Sequence, residues 1–485
     1  MKLPHGKAFP DSKPVVVFLC PPETGHTNPL IPHARHLVSG GHDVHFIAGP
    51  ASENAIHKAG ATFHPLHTVW KPEMFDIMQS LPNELCRFMY GMKHNFIDMT
   101  EPGMQALATV LEDIREKYGP ERTVVVVQEY AAMGAWPFIL GAPLPRGYEK
   151  FPKLITFSTV PLPISSVDTA PFGPGLPPDS SETGHARNAC MYKATEGFGI
   201  EVAAYSNAIY EKLGAKKIPE SIVPMDFWAT GGDVTVQPCS PSLEYPRSDL
   251  SPKIRYIGGL PRRAIDPSTD LPDWWDEMLA AKHAGKKIIF VSQGTFRIDY
   301  TELLVPTLNA LAGRDDCWLL EPWGSVALSW RTWRYRAMRR SLIFCSTTPF
   351  LNYADVFVSN AGYGGLMHSV MNGVPMVLAG TGHKFFSASS SPRATLHRAL
   401  SLVPARQITY PDDMLEDKAE VAMRGEWAGI AVNLRTNTPS VEALQKAIDR
   451  VLSETDFKAR CVEIQRENEQ LNCLVQLEKL IDGDA

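Results

Sequence analysis

Long apolar runs are missing from this sequence of 485 residues. No run approaches the roughly 18 to 20 apolar residues that a membrane-spanning helix needs. Residues 1–13 contain no apolar stretch of signal-peptide length, and the last residues follow a charged helical pattern. We therefore expect a soluble, cytoplasmic protein without an integral membrane segment.

Closely spaced cysteines and an excess of positive charge are missing as well. The eight cysteines are scattered, and no two of them stand at C-x-x-C spacing. Structural zinc sites and dense disulfide frames depend on such spacings, so we expect reduced thiols and no metal site. The formal net charge is −6 at pH 7. This balance does not favour nucleic acid as a partner.

The sequence does contain the pattern of an α/β protein, and it contains it twice. Residues 14–20 form an apolar run typical of a buried parallel strand, a helix is predicted over 29–39, and a second strand over 42–49. This order is the building block of a doubly wound sheet. Strands and a helix of the same kind return late in the chain, over 286–295, 301–312, 354–359 and 374–380.

Length and composition divide the chain into domains. At roughly 150 residues per domain, 485 residues predict two or three. A stretch rich in proline, serine and glycine separates the two halves, and a second turn-rich stretch, 161–182, is predicted to be a loop over a site. We predict a first domain over 1–240, a linker over 241–270, a second domain over 271–440 and C-terminal helices over 441–485.

His26 is the candidate base of the first half. It follows the first strand in the stretch PPETGHTNPL, and open α/β sheets bind ligands at the carboxyl ends of their strands. A neutral imidazole, with an ordinary pKa of about 6.5, can take a proton from a hydroxyl group. Asn28 is predicted to cap the helix that follows. The alternative is a histidine that only satisfies backbone groups of the turn.

Glu129 is the candidate acid beside this base. It lies at the carboxyl end of a further predicted strand, 124–130, where a carboxylate could orient the second nitrogen of a histidine. Its neighbour Gln128 could occupy the same place. The alternative interpretation of Glu129 is a solvated charge at a strand end.

The most informative segment of the second half is VFVSNAGYGGLMHSVMNGVPMVLAG, residues 356–380. A predicted strand leads through Gly362, Gly364 and Gly365 into a helix. Exposed N–H groups at the positive end of a helix dipole form an anion site. With Thr295, this site could hold a diphosphate without a metal. An ordinary tight turn is the alternative, because G-Y-G-G matches neither the Walker pattern nor the dinucleotide fingerprint.

Together these segments resemble the UDP-glycosyltransferase family, in particular its soluble fungal and bacterial members that act on small lipophilic acceptors. The stretches that carry the resemblance are GHTNPLIPHARHLVSGGHDVHF, VSQGT and SNAGYGGLMHSVMNGVPMV, and the resemblance covers nearly the whole chain. It implies a GT-B fold, in which two Rossmann-like, doubly wound α/β domains face each other across a cleft and a C-terminal helix follows.

The resemblance also implies a reaction, which is the inverting transfer of a hexose, expected to be glucose, from a UDP-sugar to a hydroxyl group of a small lipophilic metabolite of secondary metabolism. The UDP-sugar is a co-substrate, and no cofactor or metal is expected. His26 is then the general base and Glu129 its supporting acid. The implied donor-binding residues are Thr295, Phe344, Asn360, Ala361, Gly362, Gly364, Gly365, His368 and Asp417.

The sequence departs from the family pattern in several places. Asn360 stands where the family has a histidine, and His368 stands where many relatives have a ribose-binding glutamate. A 33-residue stretch, 383–415, separates the donor signature from Asp417 and is interpreted as a surface excursion or a retained intron. The segment 317–349 contains four of the ten tryptophans and a cluster of arginines.

These departures leave other functions open. A GT-B-like protein that binds a nucleotide or a small molecule without catalysis is the first alternative, and a nucleotide-sugar epimerase is the second. The segment 317–349 could bind RNA or a membrane surface, or it could be non-native sequence from a misread frame. A lipophilic acceptor pocket or simple core packing would explain the apolar residues Trp70, Met74, Phe75, Met78, Phe88, Met89 and Tyr90.

Overall fold

The apolar strands of the two halves form two parallel sheets in a computed structural model of the protein. The structure describes residues 13–82, 84–262, 271, 275–293, 299–320, 351–380 and 417–483. Within these ranges, the first half builds a sheet of seven strands and the second half a sheet of five. The predicted α/β class with two doubly wound halves is confirmed.

The first sheet reverses its strand order once. Its strands are β1 (Val15–Leu19), β2 (Val44–Ala48), β3 (Thr62–Pro65), β4 (Val124–Glu129), β5 (Lys153–Phe157), β6 (Val234–Gln237) and β7 (Ile254–Tyr256). They are paired in parallel in the order β3-β2-β1-β4-β5-β6-β7. The chain therefore builds outward from β1 in one direction and then from β4 in the other. Open sheets bind their ligands at such a reversal.

The second sheet has a reversal of the same kind. Its strands are β8 (Lys287–Ser292), β9 (Cys317–Leu320), β10 (Val356–Ser359), β11 (Met376–Leu378) and β12 (Ala431–Asn433). They are also parallel, in the order β12-β11-β10-β8-β9. The reversal falls between β8 and β10, so a ligand site is expected beyond the carboxyl ends of these two strands.

Helices connect the strands and cover both sheets. The α-helices of the described ranges are α1 (Thr24–Thr27), α2 (Ile31–Ser39), α3 (Glu53–Lys58), α4 (Pro72–Ser80), α5 (Glu84–Gly91), α6 (Thr100–Tyr118), α7 (Trp136–Ile139), α8 (Glu182–Lys212), α9 (Pro224–Thr230), α10 (Trp275–His283), α11 (Leu304–Ala310), α12 (Tyr363–Met371), α13 (Lys418–Trp427), α14 (Val441–Ser453), α15 (Thr455–Leu471) and α16 (Cys473–Asp482). None of them is long and apolar enough to cross a membrane.

Burial on both faces explains why the strands appear in the sequence as continuous apolar runs. Every residue of β1 is fully buried. Val15 and Val17 belong to the apolar cluster on one face of the first sheet, and Val16 and Phe18 belong to the cluster on the other. The strands of the second sheet divide their side chains between two clusters in the same way.

Two predictions about local structure are wrong. The interval 241–270, predicted as a linker, contains β7, which pairs with β6 and extends the first sheet to Tyr256. This strand is only three residues long and only Ile254 is buried, so it leaves no recognisable pattern. The second wrong prediction is that Asn28 caps the helix after it, because Asn28 instead ends α1, and α2 begins at Ile31.

The chain returns to the first domain at its end. The helix α16 packs Leu477 and Leu480 into the apolar cluster that lies behind β1 and β2. A hydrogen bond of 2.8 Å joins Nε2 of His36 on α2 to Oε2 of Glu478 on α16. The last helix therefore fastens the C-terminal part of the chain to the first sheet.

This docking can be tested by removing one buried side chain. Leu477 is fully buried, and truncation of a buried leucine leaves a cavity. We expect Leu477→Ala to lower the free energy of unfolding by about 2–5 kcal/mol in urea unfolding followed by circular dichroism. The control is Ile200→Ala on α8, where the side chain is 63% exposed. Equal stability of the two variants would contradict the docking described above.

Candidate active site

His26 and Glu129 meet where the strand order of the first sheet reverses. His26 lies on α1, directly after β1, and Glu129 is the last residue of β4. The register of the two strands pairs Leu19 with Gln128, so both strands end at the same level. The Nδ1 atom of His26 lies 3.0 Å from Oε1 of Glu129. The two residues predicted from the sequence are therefore in contact.

Three donors hold the carboxylate of Glu129, which is fully buried and therefore not a solvated strand-end charge. Nδ1–H of His26 and the hydroxyl of Thr159, at 2.5 Å, donate to Oε1, and the backbone N–H of Ala131 donates to Oε2 at 2.8 Å. An ionised carboxylate only accepts, so Nδ1 of His26 carries a proton. Gln128 takes no part, because its Oε1 accepts from a backbone N–H in the following turn.

Thr159 is a member of this group that the sequence analysis did not single out. Its hydroxyl also lies 3.2 Å from Nδ1 of His26. The residue follows β5, which pairs with β4 so that Phe157 stands beside Glu129. Carboxyl ends of neighbouring parallel strands meet at one edge of the sheet. A hydroxyl two residues past β5 was therefore the signal that could have indicated this position.

The second ring nitrogen of His26 is open. Within the part of the chain that the structure describes, no group pairs with Nε2, and the side chain is 22% exposed. Phe96 packs edge-on against the imidazole, with 5.5 Å between the ring centres. Phe96 ends a short π-helix, Met92–Phe96, and helices of this type often occur at functional sites. His26 is thus fixed at one nitrogen and free at the other.

Burial and neighbouring charge act on the pKa of His26 in opposite directions. Burial has the largest influence and lowers the pKa, whereas the charge of Glu129 and its hydrogen bond raise it. The carboxylates of Glu23 and Asp417 raise it further. The net result is a pKa above the ordinary value of 6.5.

The glycine-rich turn of the second sheet leads into a helix whose first turn is open. After β10 the backbone passes through Ala361, which has a positive φ of 63°, and Gly362 precedes α12. Backbone strain of this kind is concentrated at functional sites. Among the described residues, nothing lies within 4 Å of a Cβ atom built at Gly362 or at Gly364. The first turn of α12 contains no acidic residue of its own that would occupy the positive end of the helix dipole.

The structure places the other predicted donor-binding residues around this helix. Asn360 is buried, and its side-chain amide donates to the backbone carbonyl of Gln293 at 2.5 Å, which ties the end of β10 to the end of β8. His368 lies one helical turn after Gly364 and is partly exposed. Thr295 and Phe344 lie outside the described residues, as do 383–415 and most of 317–349.

Asp417 lies at the start of α13, next to the same turn. A Cβ atom at Gly380 would lie 2.6 Å from the carbonyl oxygen of Lys418 and 2.9 Å from Cβ of Ala361. Gly380 therefore lies between the first turn of α13 and the turn that precedes α12. The charge of Asp417 also raises the pKa of His26.

The apolar residues between 70 and 100 do not form a single group. Met89 belongs to the buried core, whereas Phe75 is 51% exposed. Trp70 and Tyr90 meet edge to face with 6.0 Å between ring centres, and Phe88 stacks on α8. Core packing therefore accounts for part of this cluster only.

A second group of titratable side chains lies at the far end of α2. His42, Glu478 and Asp482 are close enough to share a cation. The Nζ atom of Lys13 already lies 2.6 Å from Oε1 of Glu478 and 3.6 Å from Asp482. The group is an ion-pair network between the first domain and α16, away from the carboxyl edge that carries His26.

Each sheet thus carries a distinctive group at its reversal point, a histidine–carboxylate pair on the first and the glycine-rich N-terminus of a helix on the second. A histidine–carboxylate pair can accept a proton, and a helix N-terminus can bind an anion. Two doubly wound domains that meet in this way define the GT-B class of glycosyltransferases.

Relatives of known function identify the family within this class. The sequence is 36% identical to UDP-glucosyltransferase 1 of Beauveria bassiana (strain ARSEF 2860), over 96% of this chain and 94% of that protein. It is 31% identical to UDP-glycosyltransferase 2 of Phaeomoniella chlamydospora, over 97% and 96% of the two chains. The chain belongs to the UDP-glycosyltransferase family and is a UDP-dependent glycosyltransferase.

Solved structures agree with the fold. A glycotransferase of kitacinnamycin superposes with a TM-score of 0.64 at 18% identity, over 97% of this chain and 98% of that one. The two-domain architecture expected from the resemblance is therefore confirmed. No model of a protein family matches the sequence.

The electrostatics of His26 lead to a prediction that needs no substrate. Because Glu129 raises the pKa of His26, we expect Glu129→Gln to lower it, as followed by NMR titration of selectively labelled histidine. Glu23→Gln is the matched control, since Glu23 acts on His26 by charge alone and less strongly. A pKa that is the same in the wild type and in Glu129→Gln would refute this account of the pair.

Proposed function

We propose that this enzyme moves glucose from UDP-glucose to a hydroxyl group of a small lipophilic metabolite, with inversion at the anomeric carbon and without a metal. The observation that carries the proposal is the His26–Glu129 pair, whose open nitrogen lies at the reversal of the first sheet. The names of the curated relatives support glucose as the sugar.

His26 acts as the general base. Glu129 and Thr159 hold Nδ1 in its protonated form, so the lone pair of Nε2 is available to the acceptor hydroxyl. As the hydroxyl oxygen bonds to the anomeric carbon, its proton passes to Nε2 and the bond from that carbon to the diphosphate oxygen breaks. Attack from the side opposite the leaving group inverts the configuration.

The first turn of α12 receives the diphosphate. Its free backbone N–H groups and the positive end of its dipole favour negative charge, which increases as the bond to the sugar breaks. Gly362 and Gly364 leave the backbone uncovered there. His368, one turn further on, is proposed to contact the ribose, and Asp417 is proposed to bind the sugar. Thr295 and Phe344 stay predicted donor ligands.

The acceptor is proposed to bind beside Phe96, which lies against the imidazole of His26. The partly exposed aromatic residues Trp70 and Tyr90 and the exposed Phe75 would supply further apolar contact. Apolar surface of this kind favours a hydrophobic guest, because its burial removes that surface from water.

Removal of the base tests the reaction directly. We expect His26→Ala to lower acceptor-dependent UDP release from UDP-glucose by about 10²- to 10⁴-fold, the usual contribution of a general base. UDP binding should be unchanged, because the donor turn lies on the other sheet. His57→Ala is the control, since His57 is an exposed histidine of the same domain. Undiminished release by His26→Ala would exclude His26 as the base.

A charge placed on the anion site tests the donor half separately. No described residue lies within 4 Å of a Cβ atom built at Gly364, so Gly364→Asp adds a carboxylate to the first turn of α12 without a clash against that part of the chain. We expect UDP affinity, measured by calorimetry, to fall about tenfold or more through repulsion. The melting temperature should not fall, since an acid suits a helix N-terminus. Gly364→Asn is the neutral control, and equal UDP affinities of the two variants would place the diphosphate elsewhere.

A further inference from the structure

A buried cluster of charges joins α13 to the first domain. The side chain of Arg424 on α13 is 1% exposed, and it donates to Oε2 of Glu244 at 3.0 Å and to Oε2 of Glu420 at 2.8 Å. Its guanidinium lies 4.3 Å from the ring centre of Tyr245. Glu244 also accepts from the backbone N–H of Leu162. Buried charges are tolerated only when each finds its partners, so this cluster fixes one arrangement of the two domains.

The second oxygen of Glu420 holds a loop of the first domain. Its Oε1 atom accepts from the backbone N–H groups of Gly173 and Gly175, each at 2.8 Å. Gly175 has a φ of +60°, and a Cβ atom there would lie 2.5 Å from the carbonyl oxygen of Ala419. The loop, which lies within the turn-rich interval 161–182, therefore sits directly on the first turn of α13.

The same helix turn also packs against Gly380, which follows β11. Gly380 allows the carbonyl of Lys418 to approach within a distance that any side chain would block, and Ala361, in the turn before α12, also lies against Gly380. Asp417 directly precedes this helix turn. The start of α13 is thus packed between the loop of the first domain and Gly380, which borders the proposed diphosphate site.

We infer that Glu420 and Arg424 are positioning residues, which clamp α13 to the acceptor domain so that Asp417 is held at the sugar end of the donor site, opposite His26. This inference rests on the proposed function. Within the described part of the chain, the side chains of Glu420 and Arg424 bond to Glu244 and to the stretch 161–182, whereas the proposed diphosphate site is on α12. The clamp therefore acts on the sugar and not on UDP. Its loss should leave UDP bound but the sugar poorly placed and open to water.

The test compares two carboxylates of one helix. Glu420→Gln keeps the shape of the side chain but removes the charge and turns an amide group toward Arg424. We expect kcat for transfer to fall about 10- to 100-fold, since small misplacements of reacting groups have effects of this size. UDP affinity should stay within about twofold, and the ratio of UDP-glucose hydrolysis to transfer should rise. Glu426→Gln is the control, because Glu426 forms an exposed ion pair with Arg435.

A second variant guards against misfolding of the first. Gly175→Ala leaves every charge in place but forces the loop away from α13, so it should give the same rise in the ratio of hydrolysis to transfer. Wild-type kinetics in both variants, or a loss of UDP affinity in step with kcat, would overturn the clamp. Absence of acceptor-dependent UDP release from the wild type would instead overturn the proposed function.

Discussion

The reversal of strand order in each sheet is the constraint on which the active site depends. Between β1 and β4, and again between β8 and β10, neighbouring strands send their chains to opposite sides, so a crevice opens at their carboxyl ends. His26 and Glu129 lie at the first of these crevices, and the glycine-rich turn before α12 lies at the second. The fold therefore supplies two places with backbone groups available for ligands, and few special residues are needed to make the first the proposed base and the second the proposed anion site.

The buried carboxylate of Glu129 is the electrostatic centre of the first crevice. A lone buried charge would be costly, and three donors offset that cost. The same bonds fix the tautomer of His26. They also favour its charged form, which raises the pKa of His26. At a given pH less of the imidazole is then neutral, but the imidazolium that the proposed proton transfer would create is stabilised.

Local pattern and long-range contact differ in how far the sequence could predict them. The strands β1, β4, β8 and β10 were predictable because burial on both faces leaves a continuous apolar run. The position of a turn residue such as His26 then follows from the strand that precedes it. Predicting that Glu129 lies near His26 required only the further rule that neighbouring parallel strands end at the same edge of the sheet. Thr159, and the contacts of Glu420 with a loop some 245 residues earlier in the chain, depend on which strands and helices become neighbours. No local spacing of residue types indicates which elements become neighbours. The strand β7 was too short to leave a recognisable apolar pattern.

The start of α13 connects the two crevices, and its charges act in the same sense as those of Glu129. Asp417 raises the pKa of His26, which disfavours the neutral imidazole before reaction. In the proposed reaction the imidazole gains a proton, and a nearby negative charge then lowers the energy of the developing cation. A carboxylate that also binds the sugar would give this help only while the donor side is held against the acceptor side. Fixing α13 through Arg424 therefore links the geometry of the domain interface to the electrostatics of the proposed proton transfer. Burying the charge of Arg424 costs free energy, and its role in positioning α13 gives a reason for that burial.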